Sequence, residues 1–334
     1  MTQPPAADDL LNVVGVSKIY VTGQSVLRRG TMLRALHDVS FNVQTGETLG
    51  IVGESGCGKT TLGKIIVRLL RPNTGRVLWM GRDLTAMAGE ELRLVRRDLQ
   101  FIFQDPQTAL NPRMTVGEII AEPLRVLRPD LKPRDRMQRT LDMMAAVNLL
   151  PDHAGRFPHE FSGGQAQRIG IARALITGPQ MIVCDEPVSA LDLSVQAQIL
   201  NLLQDVKDKL GLTLIVISHN LNVVRHIADR VLVLYLGQVM EIASVQALRS
   251  RPLHPYTSLL LSAAPVPDPR LSQLTEQDWF DTELPSPLDM PTGCPFHTRC
   301  AYATDRCRLE RPQPEIVPGH GQVSCHNWRS IEMA

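Results

Sequence analysis

Nowhere in the 334 residues does an apolar run approach the ~18–20 residues that cross a bilayer, which excludes a membrane-spanning helix. Charge of one sign is also missing. The 35 Lys and Arg stand against 34 Asp and Glu, a formal net charge of +1, so no basic field points to nucleic acid. The opening Met1-Thr2-Gln3-Pro4-Pro5 has neither a basic n-region nor an apolar core, and predicts no export. No long internal repeat or low-complexity segment is present. These absences predict a cytoplasmic chain whose membrane attachment, if any, comes through partner subunits. The length suits one large domain and an appendage.

What is present begins with a loop. Leu49-Gly50-Ile51-Val52 suits a short buried strand, and Leu62 to Leu70 has helical spacing. Between them Gly53-Glu54-Ser55-Gly56-Cys57-Gly58-Lys59-Thr60-Thr61 fits G-x-x-x-x-G-K-[ST] in the strand–loop–helix context that the motif requires. The glycines let backbone N–H groups converge on phosphate oxygens, and the helix N-terminus adds its dipole. Lys59 is expected to bridge the β- and γ-phosphates of ATP and the Thr60 hydroxyl to ligate Mg²⁺. Cys57 fills a variable position and carries no thiol chemistry.

Met181-Ile182-Val183-Cys184-Asp185-Glu186 reads as a central parallel strand ending where open α/β sheets bind ligands. Asp185 is expected to hold Mg²⁺ through water, and Glu186 to polarise the water that attacks the γ-phosphate. Cys184 suits a small buried apolar position. A second buried strand, Leu214-Ile215-Val216-Ile217, ends at Ser218-His219, which puts His219 at the same sheet edge. Ser162, Gly163 and Gly164 precede a helical stretch, Gln165 to Leu175, and so form a second anion-binding helix start. Locally the same run is a glycine hinge with Ser162 as N-cap.

In these motifs the chain resembles the ATP-binding subunit of an ABC transporter over roughly residues 10–262. Tyr20 resembles the aromatic that stacks on adenine. Gln104, in Phe103-Gln104-Asp105-Pro106, resembles the glutamine that senses the γ-phosphate and Mg²⁺. Ser162 to Gln165 resemble the family signature, with Phe161 where Leu is usual. Ser189-Ala190-Leu191-Asp192 resembles the loop that crosses the dimer interface, and His219 the switch histidine. The resemblance implies an α/β fold: a P-loop ABC ATPase core of mixed sheet and flanking helices, a helical subdomain at about 106–178 and a small Cys-rich tail at 263–334. It also implies that two subunits sandwich two nucleotides head to tail, each lending its signature to the other's ATP. The segment Gly23 to Thr31 looks like an insertion with Arg28 and Arg29 in solvent.

Beyond the proline-rich 264–269 lie Cys294, Cys300, Cys307 and Cys325, spaced x5, x6 and x17 rather than as C-x2-C. Clustered thiols in a reducing compartment suggest metal, and the residues leave zinc, iron–sulfur and no metal equally open. Gly293-Cys294-Pro295-Phe296-His297-Thr298-Arg299-Cys300, Pro318-Gly319-His320 and Cys325-His326 resemble the oligopeptide/dipeptide branch of ABC importers, as do Pro252 to Thr257 and Leu110-Asn111-Pro112. That resemblance implies a structural [4Fe–4S] cluster on the four cysteines, with zinc as the alternative. It further implies an ATP hydrolase energising di- or oligopeptide import at the cytoplasmic face of the inner membrane. The implied partners are a second ATPase subunit (a heterodimer rather than a homodimer), two transmembrane permease subunits and an extracytoplasmic solute-binding protein. Nickel or another small solute is the alternative cargo. The rival functions are a soluble ABC ATPase of DNA repair or translation, which would carry a coiled-coil insertion or tandem domains, and an ATPase regulated by a metal on its cysteine tail.

Overall fold

A computed structural model describes residues 9–22, 31–189, 191–262, 285, 286, 288 and 290–331. The expected insertion with Arg28 and Arg29, Ala190 of the interface loop and the proline-rich 264–269 lie outside the described residues.

The long strands β1 (Asp9–Thr22) and β2 (Thr31–Gln44) pair antiparallel. Then come β3 (Thr48–Val52), α1 (Lys59–Ile66), β4 (Thr74–Trp79) and β5 (Arg82–Asp83), and the order β2-β1-β4-β5 makes a four-stranded sheet. After α2 (Gly89–Asp98) and β6 (Leu99–Ile102) the chain turns helical, with α3 (Pro106–Ala109), α4 (Val116–Leu127), α5 (Pro133–Ala146) and α6 (Gly163–Leu175). Alternation returns with β7 (Met181–Asp185), α7 (Leu193–Leu210), β8 (Thr213–Ser218), α8 (Leu221–Ile227), β9 (Arg230–Tyr235) and β10 (Gln238–Ser244). The helices α9 (Val245–Ser250) and α10 (Pro255–Ser262) follow, and α11 (Asp305–Leu309), β11 (Glu315–Val317) and β12 (Gly321–Val323) belong to the tail.

The main sheet runs β11-β12-β10-β9-β3-β8-β7-β6. Its five strands from β9 to β6 are parallel, and β10 and β12 add antiparallel edges. A parallel strand covered on both faces must be apolar throughout, and every residue of β3, β7 and β8 is buried. On one face Ile182 and Leu214 pack with Ile119, Ile120 and Leu124 of α4 and Ile169 and Ala172 of α6. On the other, Ile51, Val183 and Ile215 pack with α1 and the β1–β2 hairpin through Leu62, Leu11 and Leu36. Each such fully buried Leu or Ile contributes about 1.5–3 kcal/mol relative to exposure.

Helix ends differ from the sequence expectation for physical reasons. α6 begins two residues before Gln165, because Ser162 and Gln165 form a reciprocal capping box that draws both glycines into the first turn. The helix expected to reach Leu70 stops at Ile66, and Arg68 follows in the left-handed region at φ 59°. Among the described residues no helix is long and apolar enough to cross a membrane.

The tail docks on the main sheet. β12 pairs with β10, and Cys294, Phe296 and Cys307 share one apolar cluster with Tyr235 and Tyr256.

Candidate functional site

The phosphate-type loop joins β3 to α1. Gly58 takes φ +103°, and a Cβ there would sit 2.4 Å from the Ala35 carbonyl, so only glycine lets the loop close against β2. Lys59 is 5 % exposed, and its Nζ donates to the Gly53 carbonyl at 2.7 Å and the Glu54 carbonyl at 3.0 Å. Ser55 and Gly56 are exposed at the tip, while the Cys57 thiol is buried and its pKa is pushed up by that burial. The Tyr20 hydroxyl of β1 lies 3.5 Å from the Thr61 hydroxyl, and Lys18 Nζ sits 5.5 Å above the Tyr20 ring.

Thr60 donates from its hydroxyl to Asp185 Oδ1 at 3.0 Å. Asp185 is 2 % exposed, and burial raises its carboxyl pKa against the pull of the Thr60 hydrogen bond. A buried carboxylate with a hydroxyl beside it is a hard-oxygen donor pair that fits Mg²⁺, which takes one or two protein oxygens and completes its shell with water and phosphate.

Sheet order explains the next cluster. β8, β7 and β6 are neighbours, so the residues just past their C-terminal ends meet: His219, Glu186 and Gln104. Gln104 Nε2 donates to Glu186 Oε2 at 3.0 Å, and His219 Nδ1 lies 3.2 Å from the same oxygen. Glu186 itself holds φ +45°, a left-handed conformation unusual for a side-chain-bearing residue, and its N–H donates to the Ile217 carbonyl at 2.9 Å.

Ser162 to Gln165 stand apart. The Ser162 hydroxyl accepts from the Gln165 N–H at 3.4 Å, and the Gln165 side chain accepts from the Ser162 N–H at 3.1 Å. A Cβ on Gly164 would meet Val195 Cγ1 of α7 at 2.5 Å, so Gly164 sets how closely the two helices approach. Among the described residues no hydrogen bond or ion pair joins this run to the phosphate-type loop. Asp192 is exposed at the start of α7 and caps it without a side-chain bond.

The cysteine tail requires a correction. Among the described residues no group of three or more His, Cys, Asp or Glu is arranged to hold a metal ion, which overturns the expected [4Fe–4S] cluster on Cys294, Cys300, Cys307 and Cys325. The four sulfurs line a cavity of about 10 Å³, barely the space of one water. Burial pushes the Cys294 thiol up to about 12 and the Cys300 and Cys325 thiols up to about 11. Cys294 and Cys307 pack in one apolar cluster with Phe296, and Cys300 packs against it.

Two neighbours of the loop carried no signal in the sequence. The Tyr256 hydroxyl accepts from the Glu54 N–H at 2.9 Å, and Arg299 forks onto the Glu54 carboxylate. Spacing could not reveal pairs separated by 202 and 245 positions, although both residues stand in runs already singled out.

Comparison with known proteins places this geometry. A family model described as "ABC transporter" matches residues 36–189, and one described as "Oligopeptide/dipeptide transporter, C-terminal region" matches 240–307. The oligopeptide transport ATP-binding protein OppF of Salmonella typhimurium is 53% identical over 293 residues, 88% of this chain and 87% of that protein. OppF of Haemophilus influenzae is 49% identical over 303 residues, 90% and 91% of the two chains. A probable peptide ABC transporter ATP-binding protein of Sinorhizobium fredii is 48% identical over 321 residues, 96% and 90% of the two chains. Among solved structures, a dimeric ATP-binding cassette in a post-hydrolysis state with ADP and Pi superposes with a TM-score of 0.63 at 32% identity, over 70% of this chain and 98% of that one. An ABC transporter component of Clostridium perfringens, at 23% identity and the same TM-score, covers 81% of this chain and 100% of its own, and supports the fold alone.

Proposed function

The chain belongs to the ATP-binding subunits of ABC transporters, and on that premise we propose that it hydrolyses ATP to energise import of di- or oligopeptides. The observation that carries the chemistry is the convergence of Gln104 and His219 on one oxygen of Glu186, beside the buried Thr60–Asp185 pair.

Tyr20 stacks on adenine, and Gly53 to Thr61 wrap the phosphates, with Lys59 leaving its carbonyl partners for the β- and γ-oxygens. Thr60 and Asp185 would hold Mg²⁺, with Gln104 as a further ligand. When bound, Mg²⁺ would supply positive charge that offsets the charge of the phosphates. Glu186 orients a water and takes its proton as the water oxygen bonds to the γ-phosphorus and the bridge to the β-phosphate breaks. His219 fixes the Glu186 carboxylate and then contacts the γ-phosphate.

Ser162, Gly163, Gly164 and Gln165 serve ATP held by the facing subunit, and Asp192 lies in the loop that crosses to it. Residues 10–262 form the ATPase core, with a helical subdomain at about 106–178 that contains α4 to α6, and residues 263–334 form a Cys-rich tail. The exposed, self-capped Ser162 at the start of α6 supports the two-subunit arrangement. The facing subunit is a second, different ATPase chain. The pair docks under two permease subunits at the cytoplasmic face of the inner membrane and serves an extracytoplasmic solute-binding protein. The peptide cargo is supported by the OppF relatives and by the C-terminal family match.

Reconstitution tests this. Proteoliposomes holding the permease pair and both ATPase chains are expected to hydrolyse ATP faster when peptide-loaded binding protein is added. Turnover indifferent to every peptide, but stimulated by nickel or another solute, would overturn the cargo.

A further inference from the structure

Glu54 occupies a variable position of the phosphate-type loop, yet every polar group it owns is engaged. Its N–H donates to the Tyr256 hydroxyl at 2.9 Å, and its carbonyl accepts from Lys59 Nζ at 3.0 Å. Arg299 Nη1 donates to both carboxylate oxygens at 3.0 and 2.9 Å, and Nη2 donates to Oε1 at 3.0 Å. Arg299 is 8 % exposed, and its guanidinium lies 5.9 Å from the ring centroids of both Tyr235 and Phe296. Burial works against its charge, but the Glu54 carboxylate more than offsets that and holds its pKa above the usual arginine value. Tyr235, Tyr256 and Phe296 pack with ring centroids 4.6–5.3 Å apart, so the platform under this ion pair is built from β9, α10 and the tail together.

A carboxylate in a loop that must receive a polyanion is an electrostatic liability. Unpaired, Glu54 would repel the phosphates it helps to surround. The forked pair removes that repulsion and fixes the loop's first residues in one geometry. We propose that Arg299 of the C-terminal tail is a positioning residue for the ATP site, neutralising and orienting Glu54 so that the loop accepts the triphosphate. The inference rests on the ATP reading above and extends it: the tail is part of the nucleotide site.

The test is nucleotide affinity of the purified full chain, read by fluorescence of a labelled ATP with Mg²⁺ and again in EDTA. Arg299→Met is expected to weaken ATP binding about 10- to 100-fold, ADP less and adenosine hardly at all, because repulsion grows with ligand charge. Adding Glu54→Gln to Arg299→Met is expected to restore ATP affinity to within about threefold of the original, since no unpaired carboxylate then remains. A merely structural role for Arg299 predicts no such rescue. Where Met at 299 unfolds the tail, seen as a lowered Tm, Arg299→Lys carries the test with a loss of about three- to tenfold, again rescued by Glu54→Gln. Unchanged ATP affinity in a folded Arg299→Met chain overturns the proposal, and so does a weakened double variant. Failure of the unsubstituted chain to bind ATP overturns the functional reading and this inference with it.

Discussion

Two helix starts on this chain carry the glycine runs proposed to meet phosphate, and their surroundings differ sharply. At α1 the functional groups are tied to the rest of the fold: Lys59 is buried on loop carbonyls, Thr60 reaches Asp185, and Glu54 is gripped by Tyr256 and Arg299. At α6, among the described residues, the side chains of the exposed Ser162 and of Gln165 bond only within their own capping box. The first site is preorganised by three separate stretches of chain. The second packs on α7 through Gly164 and, among the described residues, has no hydrogen bond or ion pair to the phosphate-type loop. On the function proposed above, preorganisation of the first favours phosphoryl transfer once water is excluded, and the exposure of the second leaves it open to a facing subunit.

Breaking the preorganised side should have the largest effect. Glu186→Gln keeps the hydrogen bond from Gln104 but loses the proton acceptor, and turnover is expected to fall about 10³-fold while ATP binding persists in a trapped dimer. Single-turnover kinetics and size-exclusion chromatography check both halves. On the other side, Gly164→Ala would drive its methyl into Val195, 2.5 Å away, and displace the signature by a fraction of an ångström. The expected loss of turnover is about 100-fold. Mixing Glu186→Gln with Gly164→Ala chains sharpens the point: recovered turnover marks a self-pairing chain, and its absence marks a different partner.

The platform beneath Glu54 should also be acid-sensitive. His254 is 1 % exposed, and burial depresses its pKa to about 4 despite the pull of the Glu241 carboxylate on β10. Its Nδ1 accepts the Tyr256 N–H at 3.0 Å, which requires the neutral ring. Below pH 6.5 the unfolded chain takes up a proton that the folded chain refuses, so stability falls with pH down to about 4, by roughly 3 kcal/mol. Denaturant melts of the original and His254→Asn chains check this, with the shallower acid limb expected in the variant.

The smallest effect belongs to the signature's own packing. Phe161 is 7 % exposed and meets the His153 ring edge-on at 5.2 Å. Phe161→Leu is expected to cost about 1 kcal/mol in a thermal melt with turnover unchanged.

Most of the candidate site was legible in the sequence because its parts are local. A buried strand followed by a glycine loop or an acidic pair identifies itself, and three such strand ends necessarily meet when their strands are neighbours. Gln104, Asp185, Glu186 and His219 came together for that reason. Arg299 was illegible because nothing in its own segment asks for a partner at Glu54. The cysteines misled for the opposite reason: four thiols in one tail look like ligands, yet among the described residues no group is arranged to hold a metal ion. The start of α6 was placed two residues late because the capping box binds glycines that propensity alone would leave outside a helix.

The pairing of β12 with β10 has a consequence for how the chain is made. β10 lies beside β9, which emerges with it, but its other edge stays bare until Gly321–Val323 have been synthesised. During all of that interval a ribosome-bound chain carries an open hydrogen-bonding edge, the feature most prone to wrong partners. Arg299, too, has yet to reach Glu54 for much of that time. The edge of β10 and the carboxylate of Glu54 are therefore both left without these partners until the same stretch of tail arrives, so sheet completion and the Arg299–Glu54 pair are won close together in synthesis.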